Sequence, residues 1–132
     1  MFKYQVLTAT LVGLAASVAA LPVWASARDY AFEAVAKEVR SGPGSELAVR
    51  LVHKPDSKFV EGAIVFRTRL DMSPENMEAM TSEVAATSST EPGVYSFRSD
   101  ITMAGNWALK LQAKVQGDPE TVQGTVVFTA KK

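Results

Sequence analysis

The chain has 132 residues, of which 47% are hydrophobic and 21% charged, and it carries 14 basic and 14 acidic side chains. This length suits one compact domain with a short targeting segment and leaves no room for two cores. Cationic side chains are neither in excess nor clustered along the chain, so binding to nucleic acid or to an anionic membrane surface is not expected. Cysteine is absent, which excludes disulfides, thiolate metal sites and cysteine nucleophiles.

The N-terminal segment has the pattern of an export signal. Lys3 supplies a positive charge, residues 6–23 form an uncharged apolar run, and residues 25–27, Ala-Ser-Ala, are the small side chains that a signal peptidase accepts. We therefore predict cleavage after residue 27 and a mature domain of residues 28–132 in the periplasm of a Gram-negative cell. The alternative is an uncleaved anchor, because the apolar run approaches the roughly 18 to 20 residues that span a bilayer.

Beyond the signal, apolar and polar residues alternate in short runs bounded by Gly, Pro, Asp or Asn, which is typical of strands. The predicted strands are residues 30–39, 46–53, 63–71, 83–87, 94–98, 107–115 and 121–129. A turn, Ser-Gly-Pro-Gly, is predicted at residues 41–44. Seven short strands at this spacing predict an all-β, immunoglobulin-like antiparallel sandwich, with a small barrel as the alternative.

The inward positions of these strands define a predicted core. Its members are Phe32, Leu47, Val49, Leu51, Ile64, Phe66, Tyr95, Phe97, Trp107, Leu109, Leu111 and Val126. This set supplies enough apolar surface for the domain to fold without disulfides.

All methionines of the predicted mature domain lie in two segments outside the predicted strands, residues 71–80 and 100–106. They are Met72, Met77, Met80 and Met103. A Greek-key sandwich places the connections after its third and fifth strands at the same end. Thioether sulfur is soft and uncharged, so it selects Cu(I) or Ag(I) over Zn(II), Mg(II) or Ca(II). The sequence therefore predicts a Cu(I) or Ag(I) site formed by these four methionines.

Two further residues are candidates for this site. Trp107 follows the second segment and is a candidate cation–π neighbour of the metal. His53 is a weaker candidate ligand, because the same topology places it at the opposite end of the sandwich. The alternatives are that Met72 and Met103 fill the end of the core, or that exposed methionines form an adaptable surface for a protein partner.

Catalytic patterns are missing from the sequence. It contains no Gly-x-Ser-x-Gly elbow and no glycine-rich phosphate loop, and its one histidine has no evident partner. Glu75 and Glu78 lie in a segment without predicted rigid support, which disfavours acid–base catalysis. Arg67 and Arg69 are interpreted as a solvated strand face and not as a ligand clamp. The protein is therefore not expected to be an enzyme.

Three pieces of the chain resemble the FixH/YtkA-like family of small periplasmic domains. They are residues 66–72 (Phe-Arg-Thr-Arg-Leu-Asp-Met), 91–95 (Glu-Pro-Gly-Val-Tyr) and 103–107 (Met-Ala-Gly-Asn-Trp). The resemblance implies an immunoglobulin-like sandwich and an association with heavy-metal efflux or with assembly of copper-containing respiratory oxidases. By position, the four methionines match the methionine-rich loops of the family. Positions that look structural in the family correspond to Gly93, Tyr95, Gly105 and Trp107.

One departure from that family bears on function. FixH itself is held by an uncleaved membrane helix and lies beside a cation pump, whereas this N-terminus has a cleavable pattern. We therefore expect a periplasmic accessory protein that binds Cu(I) or Ag(I) and supports metal efflux or copper delivery, with a protein partner in an efflux or oxidase-assembly complex. The alternative is an interaction module that docks on such a complex without metal.

Overall fold

The computed structural model describes residues 27–132; the predicted export signal, apart from its last residue, lies outside the described residues. The chain opens with a 3₁₀ turn at Ala27–Asp29, and a second 3₁₀ turn, Ser73–Glu75, lies between the fifth and sixth strands. The ten strands are β1 Tyr30–Ala34, β2 Glu38–Arg40, β3 Gly42–His53, β4 Lys58–Phe59, β5 Ile64–Met72, β6 Met77–Ser82, β7 Val84–Thr87, β8 Val94–Ile101, β9 Gly105–Lys114 and β10 Thr121–Lys131. Between residues 27 and 132, no helix has the length and apolar character needed to cross a membrane.

The strands form two sheets that pack on one core. The first sheet has the order β1-β3-β8-β7, with β4 added on β3, and the second has the order β2-β10-β9-β5-β6. Every pairing is antiparallel except that of β2 with β10. These two sheets correspond to the two sheets of an immunoglobulin domain, so the predicted all-β sandwich is confirmed.

The edge strands of the two sheets are joined by direct crossings of the chain. At one side β1 borders the first sheet and β2 the second, and at the other side β7 borders the first sheet and β6 the second. The predicted strand 30–39 is therefore divided, because the chain changes sheets after Ala34. The Thr129 N–H donates to the Lys37 carbonyl at 2.8 Å and secures the crossing on β10.

The Gly-Pro-Gly segment is part of a strand. Only Ser41 separates β2 from β3, and the pairing of β3 with β8 shifts register between Gly42 and Ser45. The predicted turn at residues 41–44 is therefore wrong. The glycines lie at a β-bulge within β3, which begins four residues earlier than predicted.

Nine of the twelve predicted core residues are buried, and Tyr95 is half-buried against the same cluster. The exceptions are Ile64, which is 67% exposed, and Phe66, which is 51% exposed. The pairing of β5 with β9 shifts register between Val65 and Arg67, so the inward phase of β5 changes at this bulge. Val65 packs against the core in their place. Strict alternation therefore predicts the wrong face for the first part of β5.

The connection between β4 and β5 is held by Tyr95. Its hydroxyl donates to the Val60 carbonyl at 2.7 Å and accepts from the Ala63 N–H at 2.9 Å. Two residues earlier, Gly93 has a φ of +74°, and a Cβ added there would lie 2.6 Å from the Cβ of Phe59. Both residues thus have the structural role that the family resemblance implied.

Replacement of this glycine provides a test of the packing. Gly93→Ala should lower the free energy of unfolding by about 1–3 kcal/mol for two reasons. Alanine is strained at this positive φ, and its Cβ would displace Phe59. The control is Gly117→Ala, where φ is +85° and nothing lies within 4 Å of the added carbon. Urea denaturation compares the two variants. Equal losses would show that the approach of Phe59 to Gly93 does not constrain the fold.

Candidate methionine site and its neighbouring charge cluster

Residues 71–80 form a hairpin and not the predicted loop. β5 continues through Met72, the 3₁₀ turn Ser73–Glu75 follows, and β6 begins at Met77. Asn76 closes the turn in the left-handed conformation, with φ +57°, and its N–H donates to the Ser73 carbonyl at 3.0 Å. Pro74 lies at the start of the turn, where its missing N–H costs no hydrogen bond.

The three methionines of this hairpin pack against the core. Met72 and Met77 are directly opposite each other in the pairing of β5 with β6. Met72 is only 1% exposed, while Met77 and Met80 are half-buried and contact the buried cluster. Flexible methionine side chains are suited to filling such irregular spaces. The structure therefore agrees with the packing alternative for Met72.

Met103 lies in the short connection between β8 and β9, and it is the most exposed of the four methionines described, at 40%. Its backbone carbonyl accepts a hydrogen bond of 3.1 Å from the indole N–H of Trp107. Trp107 itself is fully buried. Its ring is therefore a core residue and presents no exposed face to a cation bound at the surface.

The two methionine segments contact each other. The methyl carbon of Met72 lies beside Gly105, where an added Cβ would be 2.9 Å away. The Glu75 carboxylate accepts two hydrogen bonds of 3.0 Å from Asn106, one from its backbone N–H and one from its side-chain amide. The two segments therefore meet at one end of the sandwich, through contacts of Met72 and Glu75 with Gly105 and Asn106. We call the β5–β6 and β8–β9 connections together the methionine end.

His53 lies away from the methionine end. It is the last residue of β3, whose first residue, Gly42, pairs with Ile101 near the methionine end. Its Nδ1 is 2.9 Å from Asp56, and its ring centroid is 5.2 Å from that of Tyr30. Among residues 27–132, no group of three or more His, Asp or Glu side chains is arranged to hold a metal ion.

A buried carboxylate, which the sequence patterns did not single out, adjoins the methionine end. Asp71 is fully buried, and its Oδ2 accepts hydrogen bonds from Arg69 at 2.8 Å and from Lys110 at 3.0 Å. Its Oδ1 accepts from the Ser73 N–H at 3.0 Å. Arg69 also donates to the Glu78 carbonyl at 3.1 Å, so its half-exposed side chain is held by two contacts on the strand face.

The family is established by comparison with known proteins. The sequence profile of the YtkA-like family matches residues 25–112, which include both methionine segments and the strands from β1 to most of β9. The chain belongs to the YtkA-like family. A comparison with curated proteins finds no match. In this YtkA-like domain β10 lies beyond the matched residues, yet it pairs with both β2 and β9 inside the second sheet.

Hydrogen bonding controls the ionisation of Asp71 in the YtkA-like domain. Burial alone would raise the pKa of this carboxyl group, but the donors of Ser73, Arg69 and Lys110 outweigh burial and hold the pKa well below its usual value. The carboxylate therefore stays ionised. The contact of Arg69 with Asp71 could have been predicted from the sequence, since the two residues are two apart and share a strand face. The contact with Lys110 could not, because it depends on strand pairing.

Replacement of the buried carboxylate tests its contribution to stability. Asp71→Asn should lower the free energy of unfolding at pH 7 by about 1–3 kcal/mol, because two cations lose the negative charge of their shared acceptor and an amide N–H₂ group replaces one of its oxygens. Since the folded pKa is depressed, the contribution is complete above the unfolded pKa of about 4 and is lost as the pH falls further. Urea denaturation from pH 7 to pH 3 should show the difference between wild type and variant shrinking. A difference independent of pH would contradict this account.

Proposed function

We propose that this YtkA-like domain is an exported accessory protein that binds Cu(I) or Ag(I) through thioether sulfur at the methionine end, and that it supports heavy-metal efflux or copper delivery. One observation supports the proposal: the two segments that carry the methionines, distant in sequence, contact each other at one end of the sandwich. Thioethers are uncharged at all ordinary pH values and prefer soft monovalent ions.

The exposure of each methionine defines the ligand set. Met103 is exposed, and Met77 and Met80 are half-buried, so these three sulfur atoms are the ligands that an ion from solvent reaches first. Met72 is buried in the core. It becomes a ligand only if its side chain leaves the interior, which costs about 1.5–3 kcal/mol of lost burial. The proposed site therefore consists of Met77, Met80 and Met103.

A site built from thioethers suits a protein that transfers metal. Neutral sulfur ligands hold a soft ion without the strong charge attraction of thiolates, and they exchange with ligands of a receiving protein. The domain would then act beside a partner in an efflux or oxidase-assembly complex of the periplasm. No catalytic step is required of it.

A second function is favoured by the same burial pattern. Packing against the core is a sufficient reason for Met72, Met77 and Met80, so these residues need no metal to explain them. In that case the domain is an interaction module that docks on a subunit of a periplasmic membrane complex. The two functions differ in whether sulfur itself, or only apolar bulk, is required at the methionine end.

Copper titration separates these functions. The full chain should bind Cu(I) in competition with a chromogenic Cu(I) chelator under anaerobic reducing conditions. The Met77→Leu/Met80→Leu double variant and the Met103→Leu variant should each bind about tenfold more weakly or worse, a loss of about 1.4 kcal/mol. Leucine retains the apolar volume, and such replacements cost less than about 1.5 kcal/mol of stability.

Met72→Leu is the matched control, because it removes sulfur from a buried position and should leave the copper affinity unchanged. Circular dichroism confirms that each variant is folded. Absence of Cu(I) binding by the wild-type chain, or equal binding by the double variant, would reject the metal function and favour docking without metal.

A further inference from the structure

Positive charge is concentrated on the outer face of β5 and β9, two neighbouring strands inside the second sheet. Residues directly opposite each other on neighbouring strands share a face, and Arg69 is opposite Lys110, Arg67 opposite Gln112, and Ile64 opposite Lys114. Four cations, Arg67, Arg69, Lys110 and Lys114, therefore lie on this face. We call it the basic face. Among the outward positions of β5, β9 and β10 described here, Asp71 is the one carboxylate, and it is fully buried.

A groove of about 410 Å³ runs across the basic face. The polar side chains that line it are Arg67, Arg69, Lys110, Gln112, Gln123 and Thr125. None of these described lining residues is acidic. The groove thus combines three cations with three neutral hydrogen-bonding side chains, although the chain as a whole carries equal numbers of basic and acidic residues.

The cations of the groove retain unused hydrogen-bonding capacity. The side chain of Arg67 is exposed and makes no ion pair or hydrogen bond within residues 27–132. Arg69 and Lys110 share the carboxylate of Asp71, so two positive charges face a single negative one. A planar guanidinium accepts a carboxylate in a two-point contact, which makes Arg67 the strongest free anchor for an acidic ligand.

An exposed apolar pair adjoins the groove. The bulge between Val65 and Arg67 leaves Phe66 51% exposed, and Ile64, opposite Lys114, is 67% exposed. Bulges redirect side chains, and large apolar groups exposed beside polar ones are a feature of protein interfaces. Because of this register shift, Ile64 and Phe66 are exposed and form an apolar border of the basic face.

We propose that the basic face binds an extended acidic segment of a partner protein, with one carboxylate on Arg67, the next on the neighbouring pair Arg69 and Lys110, and an apolar side chain on Ile64 and Phe66. Residues two apart on a strand are about 6.6 Å apart, which is also the spacing of alternate side chains in an extended peptide. Charge complementarity thus favours a segment with acidic residues at every second position. This binding does not depend on the metal proposed for the methionine end.

A membrane surface fits the basic face less well. Attraction of a basic cluster to anionic lipid is worth about 1 kcal/mol for each cation close to the surface. The basic face has only four cations, and most of the other charged side chains of the domain are acidic. The amides of Gln112 and Gln123 in the groove are suited to hydrogen bonds with a peptide backbone, which a lipid surface does not supply.

Titration with a synthetic peptide tests this proposal. The probe is Glu-Val-Glu-Val-Glu-Phe with blocked ends, added to the ¹⁵N-labelled full chain. We expect saturable amide shift changes confined to β5, β9 and β10, and weaker binding at high salt. Arg67→Ala should weaken binding about five- to tenfold through loss of a charge-assisted contact. The fold should be unaffected, because the side chain of Arg67 is exposed and has no partner in the described chain.

Arg98→Ala is the matched control, since Arg98 is an exposed arginine opposite Glu46 in the first sheet and its loss changes the net charge equally. It should leave peptide binding unchanged. No saturable binding at millimolar peptide, equal weakening by both variants, or equal binding of a peptide with Gln in place of Glu would overturn the proposal. Tighter binding of phosphatidylglycerol vesicles than of peptide, with the same loss in Arg67→Ala, would overturn it in favour of a membrane.

Discussion

The ionised carboxylate of Asp71 links the features on which both proposals depend. A charge removed from water is tolerated only when its oxygens are fully hydrogen-bonded, and here the donors come from β5, β9 and the 3₁₀ turn that begins the hairpin. The carboxylate thereby fixes the start of that turn beside the methionine end. It also holds Arg69 and Lys110 side by side on the basic face. The buried carboxylate of Asp71 thus orients parts of both the methionine end and the basic face.

The burial of the four methionines bears on the proposed metal site, because a side chain that packs in the core is not free to bind an ion. Met72 is enclosed by the core and touches Gly105, so its sulfur is committed to the interior. Met77 and Met80 are only partly covered, and Met103 is outside. Of these side chains, that of Met103 is the most exposed, while Met77 and Met80 also contact the core. The four methionines look alike in the sequence, but their burial differs: Met72 belongs to the core and Met103 to the surface.

Period-two alternation was sufficient to predict the sandwich and most of its core, because one face of each strand must be apolar to bury it. It failed where the backbone departs from regular pairing. The bulge after Val65 reversed the faces of Ile64 and Phe66, and a strand bulge accommodated the glycines at residues 41–44. β6 was missed because Glu78, Ala79 and Met80 do not alternate, and the pairing of β6 with β5 is itself irregular there.

The candidate site was predictable only in part for a related reason. Topology alone brings the two methionine segments together, since both follow strands that run in the same direction across the sandwich. The depth of each side chain and the partners of Asp71 depend on cross-strand register, which a single sequence does not encode in readable form. Lys110 is 39 residues from Asp71 along the chain, so its role appears only when the strands are paired.

The two crossings between sheets have a mechanical consequence. On each side of the sandwich, a short edge strand of one sheet is joined to a short edge strand of the other: β1 to β2, and β6 to β7. Separation or sliding of the sheets must therefore pull on continuous backbone at both sides. Antibody domains fasten their sheets with a central disulfide. This chain has no cysteine, and its sheets are instead joined by backbone connections at both edges. Reducing agents do not break these connections.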